Sequence, residues 1–560
     1  MRPPDDLHRL TMPDTLRPEA PPSAFAPFAN RRYRGYWLTG LAGNFGWLIQ
    51  SVGAAWLMAT IGGSPSMVGL VQTSIAVPMM LFALPAGAVA DAFGKRTIII
   101  WAQLALFLVS AVLAVAAYLD LLSPWSLLAF TFLIGSAKAM SHPGWQSMVS
   151  EIVERAQLPQ AIALNSVGFN LARTMGPALG GVLVATVGAF AAFAVNAVAN
   201  LWVVFVARGW PAGERKAGLP PEPVGAAILA GLRFVALSPN MLVVMARGAI
   251  FNFAGISVMA LMPLVARDLL GGDSRTYGLL LGSFGLGAVG GAFAANRLSR
   301  RLSPEWRVRL GFALFALGTF GLGESQWLWL SILSAMLTGA CWLVTLSTLN
   351  TTVQMSSPRW IVSRCLALYQ TSIFGGSAAG GLLWGLIADH GSLRLSLTVS
   401  AVVMGLGAVA GLVLKLRDFD AATVDIHAPW TAPETRLDIL PKSGPILCET
   451  QYRVPVANED AFLAAMAERR QARLRRGARR WTLSRDLLDP ELWTERFKTA
   501  TWLDMQRMHL RRSVSEAQMT ERLRALIDPS VPLRLHYHLV RDPAVEARPE
   551  DGHIRPPMES

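Results

Sequence analysis

Lys138, His142 and Gln146 recur every fourth residue inside an otherwise apolar stretch, so a helix there carries all three on one face. A cation and an imidazole on one face could hold an anionic group such as a carboxylate or catecholate. They could equally register protonation near neutral pH. A plainer reading has Lys138 snorkelling from a helix end and His142 in a loop before Pro143. Further polar groups interrupt other apolar stretches: Asn44 and Gln50 near Trp47 and Trp56, then Asn165, Asn170, Arg173, Asn252, Asn350, Gln354, Tyr369 and Gln370. Polar groups in apolar surroundings are costly unless paired, which makes each a candidate for a polar path. Interhelical hydrogen bonds, worth about 0.6 kcal/mol on average, would explain them without one. The set favoured as a path is Asn44, Gln50, Lys138, His142, Asn252, Asn350 and Tyr369. Gln146, Asn350 and Gln354 also fit close to a membrane interface.

A second constellation is Gly87-Ala-Val-Ala-Asp91-Ala-Phe-Gly94-Lys95-Arg96, wedged between two apolar runs. A charged side chain at a bilayer centre costs roughly 2.5–3.5 kcal/mol, so this cluster belongs at a membrane surface. Gly87, Asp91, Gly94, Lys95 and Arg96 suit an ionic latch at the ends of moving helices; a turn that only fixes topology needs no latch. No acidic residue falls firmly in the middle of an apolar run: Asp91, Asp120, Glu151, Glu324 and Asp389 all fall near the ends. No residue can therefore be assigned as a buried proton carrier.

The elements that must position these groups follow from composition. Of 560 residues, 52% are hydrophobic and only 16% charged, the composition of a membrane chain. The net charge of +13 collects in short loops and in the tail, which argues against nucleic acid. Cys341, Cys365 and Cys448 have neither metal-ligand nor disulfide-framework spacing, and no phosphate loop, nucleotide fingerprint or Ser-His-Asp set is present. Catalytic residues, metals and cofactors are accordingly expected to be none, and ATP-driven pumping is disfavoured.

A spanning helix takes about 20 mostly apolar residues. Candidate spans are 36–61, 66–91, 97–119, 124–149, 160–187 and 189–207, then 240–266, 276–297, 308–325, 327–354, 363–388 and 393–415. An amphipathic helix at 226–238 separates the two sets. The expected organisation is an N-terminal arm (1–30), a six-helix half (31–207), a central loop (208–239), a second half (240–417), a linker (418–445), a soluble domain (446–545) and a tail (546–560). Lys95, Arg96, Arg155, Arg208, Arg215, Lys216, Arg297, Arg300, Arg301, Arg307, Arg309 and Lys415 fall on one side, which puts both termini in the cytoplasm.

The halves repeat. Gly176-Pro-Ala-Leu-Gly-Gly181 returns about 200 residues later as Gly376-Ser-Ala-Ala-Gly-Gly381. Ser66-Met-Val-Gly-Leu parallels Thr276-Tyr-Gly-Leu-Leu, Asn44 parallels Asn252, and Gly87–Asp91 is echoed by Gly291-Ala-Phe-Ala-Ala295 without its carboxylate. Parallel repeats of this kind are one layout of membrane transporters. Gly176, Gly180, Gly181, Gly376, Gly380 and Gly381 form ridges that let helices approach, and Pro177 bends its helix. Together with Arg173, expected to bond carbonyls or pair with Asp91 or Glu151, they make a packing hinge.

These stretches carry a family resemblance. The Gly87–Arg96 loop, Ser150-Glu-Ile-Val-Glu-Arg155 and Ala163–Gly181 resemble the major facilitator superfamily, in its drug and siderophore exporter branch of transmembrane secretion effectors. The resemblance covers about 420 residues and implies an all-α polytopic fold of twelve transmembrane helices in two halves. It further implies a multi-pass protein of the inner (plasma) membrane exporting a drug, siderophore or other amphipathic metabolite by alternating access, with protons as coupling partner. In this fold helices one, four, seven and ten usually line the cavity. Ala92 stands where the family pattern has a basic residue, and Ala172 where the antiporter signature has glycine. A lipid flippase and a membrane-anchored enzyme or sensor acting through the tail are the alternatives.

In the tail, strands fit 446–456, 479–485, 492–500 and 533–540, and helices fit 459–476, 502–511 and 515–526. This order is ferredoxin-like. It resembles the small α+β-barrel domains of the antibiotic-biosynthesis-monooxygenase type, which implies a possible dimer. His509, His536 and His538 read more readily as structural than as a site. The basic run Arg469–Arg480 fits either anionic lipid or a solvated helix face.

Overall fold

The computed structural model describes residues 23–541, apart from 24, 63, 155–156, 212–223, 359, 417–432, 434, 512 and 532–533. The expected arm, most of the linker and the extreme tail therefore lie largely outside the described residues. The first helical set is α1 (Arg31–Thr60), α2 (Pro65–Phe93), α3 (Lys95–Tyr118), α4 (Pro124–Ile152), α5 (Leu158–Thr186) and α6 (Ala189–Ala207). A short α7 (Val224–Ala236) leads to α8 (Pro239–Leu264), which runs on into a π turn at Val265–Leu269. The second set continues with α9 (Ser274–Arg301), α10 (Pro304–Glu324), α11 (Leu328–Met355), α12 (Val362–His390) and α13 (Leu393–Ala410).

Local chemistry sets several of these boundaries. Ser64, Ser123 and Ser303 cap α2, α4 and α10, each followed by a proline at the first helical position. The hydroxyl satisfies a free N–H, and proline's fixed φ suits a position that needs no donor. Between α2 and α3 stands Gly94 alone, at φ +88°, a conformation that a Cβ would strain. Among the described residues eight helices are long and apolar enough to cross a membrane: the first part of α2, α3, α6, α8 with its π turn, α9, α11, α12 and α13. Of the remaining four long ones, α1, α4 and α5 are interrupted by polar residues that the sequence singled out, and α10 carries Glu305, Arg307 and Arg309 in its first turns.

Successive helices reverse direction, so the bundle has a near end, where α1 starts and α2 meets α3, and a far end, where α1 turns into α2. One hydrophobic cluster draws on both sets of helices, from Val52, Val71, Leu113 and Phe193 to Phe251, Phe312 and Trp384, and α7 is seated rather than free. Its Gly231 lies against Arg364 and Leu368 of α12, and Phe234 meets Trp360 edge-on at 6.3 Å.

The tail folds as β1 (Ile446–Arg453), α14 (Glu459–Arg475), β2 (Arg479–Arg485), β3 (Leu492–Thr499), α15 (Trp502–Leu510), α16 (Val514–Arg524) and β4 (Arg534–Leu539). The antiparallel sheet runs β2-β3-β1-β4. On β1, Ile446, Cys448, Thr450 and Tyr452 alternate into the interior with period two. The tail meets the bundle at its near end, where the Arg511 guanidinium stacks 4.4 Å from the Trp360 ring.

The basic run of the tail has neither expected role throughout. Arg469 and Arg473 turn inward onto the fully buried Glu495, at 3.0 and 3.6 Å, while Arg476 reaches Glu516 at 3.3 Å. Burial opposes charge on Glu495. The two guanidiniums outweigh it, helped by hydrogen bonds donated by Trp481 Nε1 and Tyr452 OH, and hold the carboxyl down at about 2.

Candidate functional site

Two seams join the halves, and both are built from the repeated glycines. On α5, Gly176 faces Leu48 and Gly180 faces Ile49 and Val52 of α1, while Gly181 abuts Gly278 of α9. On α12, Gly376 faces Ala249 and Gly380 faces Phe253 of α8, while Gly381 abuts Gly69 and Thr73 of α2. Two glycines of each motif thus pack within their own half and the third touches the other half. A Cβ on Gly181 would sit 2.5 Å from the Gly278 Cα, and one on Gly69 only 2.2 Å from the Gly381 carbonyl oxygen, so only backbone-to-backbone contact fits.

Both seams lie toward the far end, and other contacts reinforce them. Trp56 stacks on Tyr277 at 6.1 Å, the Thr73 hydroxyl donates to the Ala378 carbonyl at 2.9 Å, and Arg267 donates to the Ala59 carbonyl. The α2–α12 contact continues past its glycines, where Gly375 faces Met80, whereas the α5 face changes toward the near end. The α5 face that buries Gly176, Pro177 and Gly180 continues into exposed Ile162, Ser166 and Phe169. On α4 the face that buries Leu128, Gly135 and Ala139 continues into exposed His142 and Gln146. A cleft walled by α4 and α5 follows, closed at the far end and open at the near one.

At the depth where the cleft closes stands a group of polar side chains. Gly40 faces Trp145 of α4, and the Lys138 ammonium lies 5.7 Å from the Trp47 ring. Gly168 faces Trp37 and Gly176 faces Leu48, which sets Arg173 opposite the middle of α1 as well. Lys138 and Arg173 therefore meet α1 within about one helical turn of the same height. Asn44, on the α1 face between those two contacts, is partly exposed there. Arg173 reaches across to the other half, its guanidinium 6.0 Å from the Phe284 ring of α9. Among the described residues the side chains of Asn44, Lys138 and Arg173 have no hydrogen-bond or ion-pair partner. One turn below Lys138, His142 Nε2 lies 3.5 Å from Gln146 Nε2.

Other expected path residues are placed elsewhere. Gln50 is buried in a network in which Ser110 donates to it at 3.0 Å and Asn196 donates to both, tying α1, α3 and α6 together. Asn252 donates to the Gly248 carbonyl and meets Ser377 at 3.5 Å, inside the α8–α12 contact. Tyr369 packs against Gly248, fully buried. Asn350 lies close to the near end and accepts from Gln354 at 2.7 Å.

In the latch, Lys95 pairs with Glu151 at 2.7 Å and Arg96 donates to the Arg208 carbonyl, so both cations fasten helices of the first half. The Gly87 and Asp91 side positions lie outside the described residues. Of the partners expected for Arg173, Glu151 is taken by Lys95 and the Asp91 side chain lies outside the described residues, while the Arg173 guanidinium faces the Phe284 ring. Its position near Gly176-Pro177 suggested packing, and only the neighbouring helix α9 reveals the cross-half contact.

Two features escaped the sequence reading. Arg247, 1% exposed, pairs with Glu305 at 2.6 Å, and Glu305 also accepts from the Leu416 N–H, binding α8, α10 and the segment after α13. Their sequence separation left no signal. The other is Arg267, whose donation to the Ala59 carbonyl ties the π turn after α8 to the end of α1. In the tail His509 lies 6.3 Å from Tyr537, while His536 and His538 neighbour each other on edge strand β4, so the three imidazoles do not converge. No cluster able to hold a metal is found among the described residues.

Comparison with known proteins agrees with this architecture. The family described as transmembrane secretion effector matches residues 22–544. The multidrug efflux pump Tap of Mycolicibacterium fortuitum is 26% identical over 405 residues, covering 69% of this chain and 96% of Tap. The staphyloferrin A transporter of Staphylococcus aureus is 22% identical over 280 residues, 49% of this chain and 69% of that protein. The enterobactin exporter EntS of Citrobacter koseri is 29% identical over 275 residues, 47% of this chain and 62% of EntS. In fold the chain is similar to a bacterial homologue of the human lysosomal transporter Spinster, with a TM-score of 0.57, 15% identity and coverage of 68% of this chain and 96% of that one. These relatives and structural neighbours are transporters, not enzymes.

Proposed function

The chain belongs to the transmembrane secretion effectors, a family of major facilitator type, and from that premise we propose that it exports a drug, siderophore or other amphipathic metabolite by alternating access. The observation that carries this reading is the pair of glycine seams. They close one end of the bundle while α4 and α5 stay exposed at the other, the arrangement needed for two halves that rock about a central level. All twelve long helices then serve as spans. The more polar α1, α4 and α5 are tolerated because their polar faces line water rather than lipid.

Lys95, Arg96, Arg208, Arg300, Arg301 and Arg309 cluster at the near end, so the positive-inside rule makes that end cytoplasmic. The cleft opens to the cytoplasm, where an exporter loads. Coupling to protons supplies the driving force, and the cytoplasmic tail adopts a ferredoxin-like fold suited to pairing with a second copy.

The test is uptake into everted membrane vesicles. Cargo should accumulate in vesicles holding the chain and be lost on adding an uncoupler. Accumulation equal to that of vesicles lacking the chain would overturn export, and uptake indifferent to the uncoupler would overturn proton coupling alone. Flux undiminished after deletion of residues 437–541 would set aside a role for the tail in transport.

A further inference from the structure

We propose that the level of Lys138 and Arg173 is an anion-binding site, and that the transported molecule carries a negative group held between these two cations. The inference deepens the transport reading and rests on it. Two cations stand at mid-height of α4 and α5, the first residue about 21 Å along its helix and the second about 22 Å along its own. Both reach α1 at nearly one height, with Asn44 facing the gap between them.

What surrounds them is one-sided in charge. Lys138 has the Trp47 ring at 5.7 Å and Arg173 the Phe284 ring at 6.0 Å, and among the described residues neither has a carboxylate, carbonyl or hydroxyl partner. The titratable group one turn away is His142, which adds no negative charge. A ring face at such distances offsets only part of what a charge loses on leaving water. Glu305 shows how this chain treats a cation meant for structure: it answers Arg247 directly at 2.6 Å. Lys95 is likewise answered by Glu151. Lys138 and Arg173 are left for something that arrives. Both are partly exposed, on the faces that open into the cleft.

The ligand chemistry is an organic anion, with carboxylate, sulfonate, phosphate or ionised catechol as the negative group. Asn44 supplies a neutral donor beside it, and Trp47 and Phe284 supply apolar walls. Because Phe284 belongs to the second half, ligand held by Arg173 touches both halves, and its charge can bias their relative positions. An anionic lipid headgroup offers the same negative group as a free organic anion.

The experiment separates binding from transport. Carboxyfluorescein, an aromatic polyanion, is titrated against the purified full-length chain and read by anisotropy, with ethidium as the aromatic cation. Carboxyfluorescein should bind, and Lys138→Ala and Arg173→Ala should each weaken it at least about tenfold, the loss expected for one charge-assisted contact. Lys138→Arg should restore most of the affinity, which separates lost charge from misfolding. Ethidium binding should not fall in either variant. Short-chain phosphatidylglycerol that displaces carboxyfluorescein identifies a lipid headgroup as a source of the anion; failure to displace it identifies a free organic anion. Affinity for carboxyfluorescein that is absent, or unchanged in the double variant, overturns the anion site. Flux of both dyes in phosphatidylcholine proteoliposomes is measured in parallel. Charge-dependent binding without flux would keep the site and remove the transport reading, while flux of ethidium alone would keep transport and overturn the site.

Discussion

Replacing Gly181 with alanine perturbs one seam at a single point. The new Cβ would lie 2.5 Å from the Gly278 Cα and 2.8 Å from the Ser274 carbonyl oxygen, both backbone atoms of α9 that no rotamer change can move. An ordinary contact needs about 3.4 Å, so α5 and α9 must part by about 0.9 Å at the far end. Overpacking of this kind costs about 1–3 kcal/mol. Here the cost falls only on the conformation with the far end closed. A penalty of about 2 kcal/mol shifts the ratio of closed to open forms about thirtyfold. The assay is maleimide labelling of a Tyr277→Cys variant from the far side of the membrane, since Tyr277 is 2% exposed and stacked on Trp56. Native Cys341, Cys365 and Cys448 are all buried and contribute little background. Gly181→Ala should speed labelling at least about tenfold and slow transport. Gly405→Ala, with nothing within 4 Å of the new Cβ, should do neither. Gly376→Ala is as crowded, at 2.3 Å from the Ala249 carbonyl oxygen, but lies within the second half and should lower stability without faster labelling. Unchanged labelling in a folded Gly181→Ala protein would refute the assignment of this seam as the moving contact.

Three further outcomes follow from named contacts. Glu305→Ala leaves Arg247 charged and 1% exposed without its carboxylate, so thermal unfolding should show the membrane part destabilised by about 3–5 kcal/mol, with Glu305→Gln milder. The depressed carboxyl of Glu495 stabilises the tail fully above its ordinary value of 4.5 and progressively less as pH falls from there towards about 2. On the order of 3 kcal/mol should disappear over that window, followed by the fluorescence of neighbouring Trp481, and Glu495→Gln should abolish this pH dependence. Arg511→Ala removes a stacking contact worth about 0.5–1 kcal/mol, so proteolysis within 418–445 should quicken about two- to fivefold if that stack docks the tail.

The helical order was legible because a spanning helix leaves a long apolar signature, and the boundaries at Ser64-Pro65, Ser123-Pro124 and Ser303-Pro304 carry their own capping chemistry. The duplicated glycine motifs were legible as repeats. That Gly181 and Gly381, of the six motif glycines, are the ones that cross to the opposite half depends on which helix lies alongside, and a single helix's periodicity cannot tell α1 from α9. The polar groups illustrate the same limit. Gln50, Asn252 and Lys138 look alike in sequence as polar residues in apolar runs. Gln50 and Asn252 find partners on adjacent helices and become packing, whereas Lys138 finds a ring and the cleft. Arg173 was hidden by its neighbours, because Gly176-Pro177 advertises a hinge more strongly than one arginine advertises a site. In the tail the order of strands and helices was legible, but nothing local marked Arg469 and Arg473 as partners of a glutamate on a different element.

The central claim, that the far-end seams open during each cycle, is tested most directly by tethering one of them. Thr73 and Ala378 face each other across the α2–α12 seam, with the threonine hydroxyl 2.9 Å from the alanine carbonyl. A Thr73→Cys, Ala378→Cys protein joined by a short cleavable bismethanethiosulfonate should lose transport in proteoliposomes and regain it on reduction, with each single-cysteine variant indifferent to the reagent. Undiminished flux through the tethered protein would contradict the account.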